Sequence, residues 1–520
     1  MKKLFNAIII FTTALTVLTS CENVLDKKSP DSYPQEKILN TEDGINALLE
    51  GCYTRVMSRY YYGFFMQTYE AAKGPDFFQR NATGGTSYQY DAQYSTSSTS
   101  NGISKYAWRD IYSLIRNLTL LIENIDNIPG EINNLRRIKG EAYAMRGLAY
   151  FDLMRIFAFP PKFSCSWGTN YNENLRLGLP IVTDPETGSK EEDYYIGRAT
   201  ADSTFQYIEE QFEKAIPLLA DKTSSKGHIN EATAIALYMR VKLYEEKYDD
   251  VIVLGEDWMQ RFGSQYSLLT YDSYTTNYYK VFNSESIWEL AYSTTNNLSS
   301  NSLNFWARKP TIDNPDSEDD GSVTGNIGYA KLCFQWGHAN RGKDFLEYYT
   351  KDVRQYIICK LDINEHPEYY GCRKYVGDPY HYIHNIPVVR LPEIYLTLAE
   401  AYYNTGENDI ATEYVSRVSL ARRDAATTVT RLSNILDERR REFMLEGHTY
   451  WDMFRTGTNI TNRQIVEYND DSSISFGSVS SPHYRAVPPI PLSEMNANPA
   501  IRDQQNPGYA DWVLAIEEDD

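Results

Sequence analysis

Residues 391–423 read LPEIYLTLAEAYYNTGENDIATEYVSRVSLARR, and this stretch decides the fold. Tyr395, Leu398, Ala399 and Tyr402 return every three or four positions, the spacing of one helix face. Thr405-Gly406-Glu407 then supplies a turn, and Ala411, Val415 and Val418 resume the same spacing. The pattern predicts helices over 392–404 and 408–422 packed as an antiparallel pair. The small side chains of Ala399 and Ala411 let the two backbones approach closely.

An aromatic residue, then Leu and a small residue, then Tyr, then Ala nine positions on, is the tetratricopeptide pattern. Val415 and Val418 stand where the later Phe and Ala would be, and the terminal Pro is missing, since Arg423 is there. Residues 230–262 have the same shape with a shorter turn. One such pair is a generic helical hairpin; two spaced pairs favour a repeat bundle. Further helices are expected at 41–60, 104–127, 131–157, 200–220, 230–246, 248–262 and 431–447, with a short one near 344–358. Acidic Glu42 and Asp43 suit the first turn of a helix opened by Thr41. Residues 61–103 and 162–198 read as loops. Residues 263–345 are polar and lack helical period, which inside a compact domain points to function. Within them Ser286–Leu290 reads as a partly buried strand with Trp288 in the core, and 387–390 as extended. The fold class is mainly α, a tetratricopeptide-like bundle with an irregular, loop-rich ligand-binding half.

The N-terminus carries an address. Lys2 and Lys3 precede an apolar run from Leu4 to Leu18, and Leu18-Thr19-Ser20-Cys21 follows. That is a signal peptide over 1–20 with a lipoprotein cut before Cys21. Acyl chains on Cys21 anchor a soluble domain, at about 0.8 kcal/mol per buried CH₂. Residues 21–520 are read as one domain, with helical repeats within 41–262 and 392–447 and the loop-rich insert at about 263–390. Cleavage removes two lysines and no acid, so the net charge moves from −19 to about −21. A chain that acidic is unsuited to nucleic acid, which wants a clustered basic surface. The 43 Tyr, against 20 Phe and 8 Trp, suit half-buried packing and wet binding surfaces, since each ring ends in a hydrogen-bonding group.

Four blocks, in order along nearly the whole chain, resemble the SusD/RagB family. Glu141-Ala142-Tyr143-Ala144-Met145-Arg146 with Tyr150-Phe151-Asp152-Leu153 is the first, and Arg390-Leu391-Pro392-Glu393-Ile394-Tyr395-Leu396 the second. The third runs from Ile435 through Glu438-Arg439-Arg440-Arg441-Glu442-Phe443 to Trp451-Asp452-Met453-Phe454-Arg455-Thr456-Gly457. The fourth is Pro489-Ile490-Pro491 with Asn498-Pro499 and Gln505-Asn506-Pro507-Gly508-Tyr509. The C-terminal signature spans 431–520. The resemblance implies outward-facing outer-membrane lipoproteins of Bacteroidetes that act as a lid over a SusC-like TonB-dependent transporter. Many members bind oligosaccharides, and the RagB branch makes peptides the alternative cargo. It implies no catalysis and no cofactor.

Three constellations hold residues of the types that carry chemistry. Glu438, Glu442 and Glu446 stand at four-residue spacing among Arg439–Arg441, and local ion pairs are expected to satisfy them rather than glycoside hydrolysis. A helical glycosidase would need two carboxylates on different elements across a cleft. Asp316–Gly321 begins like a calcium loop, but Ile327 stands where Glu belongs. His381 and His384 lie in an extended segment that puts them on opposite faces, so no metal site is expected. What remains is recognition, by aromatic rings that stack on sugar C–H faces and polar groups that hold hydroxyls. The expected site is a shallow surface built from loops 76–94 and 292–336. Its candidates are Asp76, Arg80, Tyr88 and Tyr90 from the first, and Tyr292, Trp306 and Trp336 from the second, with Trp306 and Trp336 as exposed anchors.

Overall fold

The computed structural model describes residues 38–79, 102–183, 195–222, 227–303, 351–360, 383–423, 425–460 and 479–509, together with residues 91, 94, 96, 97, 306, 332–334, 370–372, 374, 375, 463–466 and 473–476. The expected signal peptide at 1–20 and Cys21 lie outside them.

Helix α1 (Glu42–Val56) opens where Thr41 accepts a hydrogen bond from the Gly44 amide at 3.1 Å, with Glu42 and Asp43 in the first turn. It stops four residues before the expected end, because the chain turns back through residues 57–64. Helix α2 (Phe65–Lys73) follows, in a region read as loop, and all nine of its residues are buried. It is only nine residues long, and four of those buried residues are polar, Gln67, Thr68, Glu70 and Lys73, so no apolar stripe marks it in the sequence. Strand β1 (Phe77–Gln79) leads on to α3 (Ser104–Asn124) and α4 (Ile132–Phe157), whose N-cap Glu131 accepts from the amides of Asn133 and Asn134. A single turn, α5 (Pro161–Ser164), precedes α6 (Ala201–Leu219). Then come α7 (Glu231–Tyr244), buried along its whole length, and α8 (Tyr248–Phe262).

The insert carries a short helix α9 (Tyr271–Asn277) and strands β2 (Ser286–Leu290), β3 (Leu332–Phe334), β4 (Ile358–Lys360), β5 (Tyr370–Cys372) and β6 (Ile386–Arg390). The brief helix expected near 344–358 appears as a 3₁₀ turn over Val353–Ile357. Helices α10 (Leu391–Asn404), α11 (Asn408–Arg423), α12 (Leu432–Glu442) and α13 (Thr449–Thr456) follow. Strands β7 (Arg463–Val466) and β8 (Ser473–Phe476) and helix α14 (Leu492–Ala497) complete the described elements. Every sheet among the described residues is a two-stranded antiparallel pair: β1–β3, β2–β6, β4–β5 and β7–β8.

The helices pack in succession: α1 on α3, α3 on α4, α4 on α6, α6 on α7, α7 on α8, α8 on α10 and α10 on α11. The α8–α10 contact is informative, because residues 263–390 lie between them in sequence. The insert leaves the stack and the stack resumes after it, as in a repeat array whose units each touch their neighbours. Leu398, Ala399, Ala411, Val415 and Val418 are fully buried at the α10–α11 seam. Glu256 of α8 ties that seam to the preceding pair. It accepts from the hydroxyls of Tyr402 at 2.9 Å and Tyr414 at 2.7 Å, whose rings stack at 5.9 Å. Trp288 is buried as expected and donates its indole N–H to the Gly227 carbonyl at 2.9 Å.

Candidate functional site

The acidic face of α12 is buried and paired, but not in the way its sequence suggests. Glu442 binds Arg354, Arg390 and Arg422, all from other elements. Glu438 binds Arg354 and Arg423 at 2.9 and 2.7 Å, and only its contact with Arg441 is local. Glu446 pairs with Arg390 and Lys374. Two of the three interleaved arginines point elsewhere, since successive helix positions turn by about 100°. Arg439 reaches Asp452 and Arg440 reaches Asp76. Burial pushes the Glu442 carboxyl up, but Arg422, Arg390 and Arg354 outweigh it and hold the group well below the usual carboxylate range. Glu438 is likewise pulled down to about 2 against its burial. Carboxylates held ionised among arginines are poor proton donors, so this cluster fastens elements together.

The expected anchors are placed as follows. Trp306 is 3% exposed, not displayed on the surface. Its ring meets Phe64 edge-on at 4.8 Å, and the Arg59 guanidinium lies 5.6 Å from its centroid. Tyr292 is half-buried and donates its hydroxyl to the Met57 carbonyl at 2.7 Å. Asp76 is committed to Arg440, with Nε 2.8 Å from Oδ1. Trp306, Tyr292 and Asp76 therefore serve internal contacts in this structure. Arg80, Tyr88, Tyr90 and Trp336 lie outside the described residues, as does the acidic stretch 316–321. His384 is buried beside Tyr292 and Tyr375 and pushed down to about 3 by that burial, while His381 is outside the described residues.

What Tyr292 and Trp306 do is hold the turn after α1. The Tyr61 and Gly63 amides both donate to the Ser58 carbonyl, and a Cβ on Gly63 would lie 2.2 Å from the Met57 carbonyl oxygen. Only glycine fits where the insert presses on this turn. Arg59 bonds Asn301, tying the turn to the 3₁₀ turn over Ser299–Asn301. The turn in this way presents Tyr60 beside the first turn of α3, where its ring stacks on Tyr106 at 4.8 Å and 30°. Tyr106 is 36% exposed. Cations surround the pair: Lys105 stands 5.0 Å from the Tyr106 centroid, Arg109 5.5 Å from Tyr106 and 5.8 Å from Tyr60, and Arg59 6.0 Å from Tyr60. Where the turn meets the insert, Ser58 Oγ, Arg59 Nε and Ser302 Oγ are buried without a hydrogen-bond partner among the described residues. Most buried polar atoms find partners, so three orphans at one junction leave hydrogen-bonding capacity there.

This surface joins a partly exposed aromatic pair to the exposed cations Lys105 and Arg109, the latter paired with Asp110, the chemistry of a site for a hydroxyl-rich ligand with an apolar face. It borders the expected second loop but uses residues read as helix. Tyr60 and Tyr106 were hidden because both fall within helical period. The one signal is weak: Arg59-Tyr60 and Lys105-Tyr106 each set a cation directly before an aromatic.

Comparison with known proteins bears on the whole chain. Residues 23–243 match the family model described as starch-binding associating with outer membrane, and residues 359–509 match that of the SusD family. A SusD-like protein of Formosa agariphila is 27% identical over 262 residues, 48% of this chain and 44% of the relative. The starch-binding protein SusD of Bacteroides thetaiotaomicron is 37% identical over 128 residues, 24% of this chain and 22% of the relative. These alignments therefore span less than half of either relative. A crystal structure of a SusD superfamily protein from Bacteroides thetaiotaomicron superposes with a TM-score of 0.76 at 26% identity, covering 90% of this chain and all of that one.

Proposed function

Because the chain belongs to the SusD/RagB family, we propose that it is a cell-surface lipoprotein that captures oligosaccharide and delivers it to a SusC-like TonB-dependent transporter. Acylated Cys21 holds it to the outer membrane, and the residues between Cys21 and Ile38 tether the fold. The family description of outer-membrane association and the starch-binding relative support this reading. The protein binds its ligand and does not cleave it: Glu438 and Glu442 are committed to arginines.

The observation that carries the proposal is the stacked Tyr60–Tyr106 pair, Tyr106 exposed and Tyr60 half-buried, with Lys105, Arg109 and Arg59 beside it. A sugar ring lays its C–H face on such an aromatic surface and offers hydroxyls to the donors around it. Affinity electrophoresis in gels containing starch, laminarin or xyloglucan, followed by calorimetry with oligosaccharides of the retained glycan, tests this. Retention of the parent and loss of retention by Tyr106→Ala are expected. A parent that no glycan retards, or a Tyr106→Ala variant retarded like the parent, sinks the proposal.

A further inference from the structure

Two exposed aromatic side chains stand on the loop after α5. Trp167 is 43% exposed and Tyr171, four residues on, is 40% exposed. The loop that carries them is closely bonded. The Gly168 amide donates to the Cys165 carbonyl at 2.8 Å, Asn170 to Lys162 at 3.0 Å, Tyr171 to Gly168 at 3.2 Å and Asn172 to Phe163 at 2.8 Å. The Ser166 amide donates to the Asp202 carboxylate at 2.9 Å, pinning the loop to α6. A Cβ on Gly168 would lie 2.2 Å from the Pro161 carbonyl oxygen, so the tight return at this position requires glycine.

The turn between α7 and α8 supports the indole. Lys247 lies 4.9 Å from the Trp167 centroid. It is itself held by Glu209 and Glu245, so the cation under the ring is fixed in place. Lys162 bonds Glu246 of the same turn at 3.0 Å. The indole is thereby backed on one side by a tethered lysine while much of its surface remains in water. Packing does not explain an indole held out on a rigid loop, because the hydrophobic effect favours covering it.

The surroundings indicate what covers it. Ser166, Thr169, Asn170, Asn172, Glu173 and Asn174 are all exposed. A protein partner's contact core wants contiguous apolar surface, which this loop lacks. Isolated rings set among amides and hydroxyls suit a ligand with apolar faces and many hydroxyls. We infer that Trp167 and Tyr171 form an auxiliary platform for a neutral polysaccharide chain, separate in sequence from the Tyr60–Tyr106 pair. This inference rests on the glycan-binding reading. It adds that a long chain is gripped at two places, so that the second contact becomes intramolecular and raises avidity.

The experiment uses the acylation-free chain from residue 22 and the glycan that retards it, as a polymer and as a short oligosaccharide of about three units. Trp167→Ala should weaken polymer binding at least fivefold and leave oligosaccharide binding unchanged. Tyr106→Ala should weaken both. Tryptophan emission should shift on adding polymer to the parent and shift less in Trp167→Ala. Polymer affinity equal to the parent's in both Trp167→Ala and Tyr171→Ala overturns the platform while leaving the functional reading intact. Equal loss of polymer and oligosaccharide in Trp167→Ala also overturns it, because the residue would then belong to the primary site. Absence of any glycan binding by the parent removes the functional reading and the platform with it.

Discussion

Glu442 accepts from Arg422 through both carboxylate oxygens, Nε to Oε2 at 2.9 Å and Nη2 to Oε1 at 3.0 Å. The same carboxylate takes Arg390 at 2.9 Å and Arg354 at 3.2 Å. One side chain of α12 thus joins α11, the end of β6 and the 3₁₀ turn at 353–357. Glu285 adds a further bridge between Arg390 and Arg422. The repeat stack and the insert meet at this knot of buried charge.

Replacing one member of such a knot leaves the others buried without their counter-charge. Glu442→Gln should lower stability by about 3–5 kcal/mol. Chemical denaturation followed by far-ultraviolet circular dichroism measures the change. A variant that unfolds at the parent's denaturant midpoint would show that the arginines are hydrated and the network contributes little.

The α10–α11 seam makes a packing prediction. Ala411 has no exposed surface and faces a seam closed by Leu398 and Ala399. Ala411→Trp should overpack it and cost about 1–3 kcal/mol. An unchanged melting curve would mean that the two helices separate at little cost.

The helical half was legible because its residues obey one period. Tyr395, Leu398, Ala399 and Tyr402 of α10 and Ala411, Val415 and Val418 of α11 share that spacing, which carries the α10–α11 pair and the burial of Ala411, although α10 is covered on all sides from Leu391 to Tyr402. Helix α2 broke that logic: Phe65–Lys73 is short, and its buried residues include Gln67, Thr68, Glu70 and Lys73, so polarity does not mark which side is covered. The site was less legible for a related reason. Exposure was inferred for Trp306 from its polar neighbours in sequence. What buries it is Phe64 and Arg59, more than two hundred residues earlier, and no local pattern reports such contacts. The partners of Glu442 were missed likewise, since Arg354, Arg390 and Arg422 come from distant segments.

His228 makes the fold respond to pH. Its ring nitrogens lie 3.0 Å from Glu141 and 3.4 Å from Glu50, and its ring stands 4.1 Å from that of Tyr53. Tyr53 donates to Glu141 at 2.7 Å, and Arg137 pairs with the same carboxylate. Burial opposes charge on the imidazole and Arg137 opposes it further, but Glu141 and Glu50 prevail and raise its pKa. A pKa higher in the folded state than in the unfolded one means that protonation stabilises the fold. That contribution is complete below about pH 6.5 and is lost as pH rises through the folded value. The melting temperature of the parent relative to His228→Gln should therefore be highest near pH 5.5 and shrink toward pH 8.5. A constant difference across that range would exclude the coupling.

Trp306 and Tyr106 should separate stability from binding. Trp306 is buried against Phe64 and the Arg59 guanidinium, and Arg59 in turn bonds Asn301. Trp306→Ala removes a large side chain from that junction and should cost about 3–5 kcal/mol of stability, with any loss of binding following from a loosened turn. Tyr106 lies at the surface with one face on Tyr60, so Tyr106→Ala should leave the unfolding midpoint nearly unchanged. It should nonetheless weaken glycan binding by about 1–3 kcal/mol, the loss typical of an aromatic anchor. Calorimetry and thermal unfolding of both variants decide the matter. If Trp306→Ala melts with the parent yet binds nothing, the indole moves out to meet ligand and belongs to the site; if Tyr106→Ala unfolds early, the stacked pair is a structural clasp.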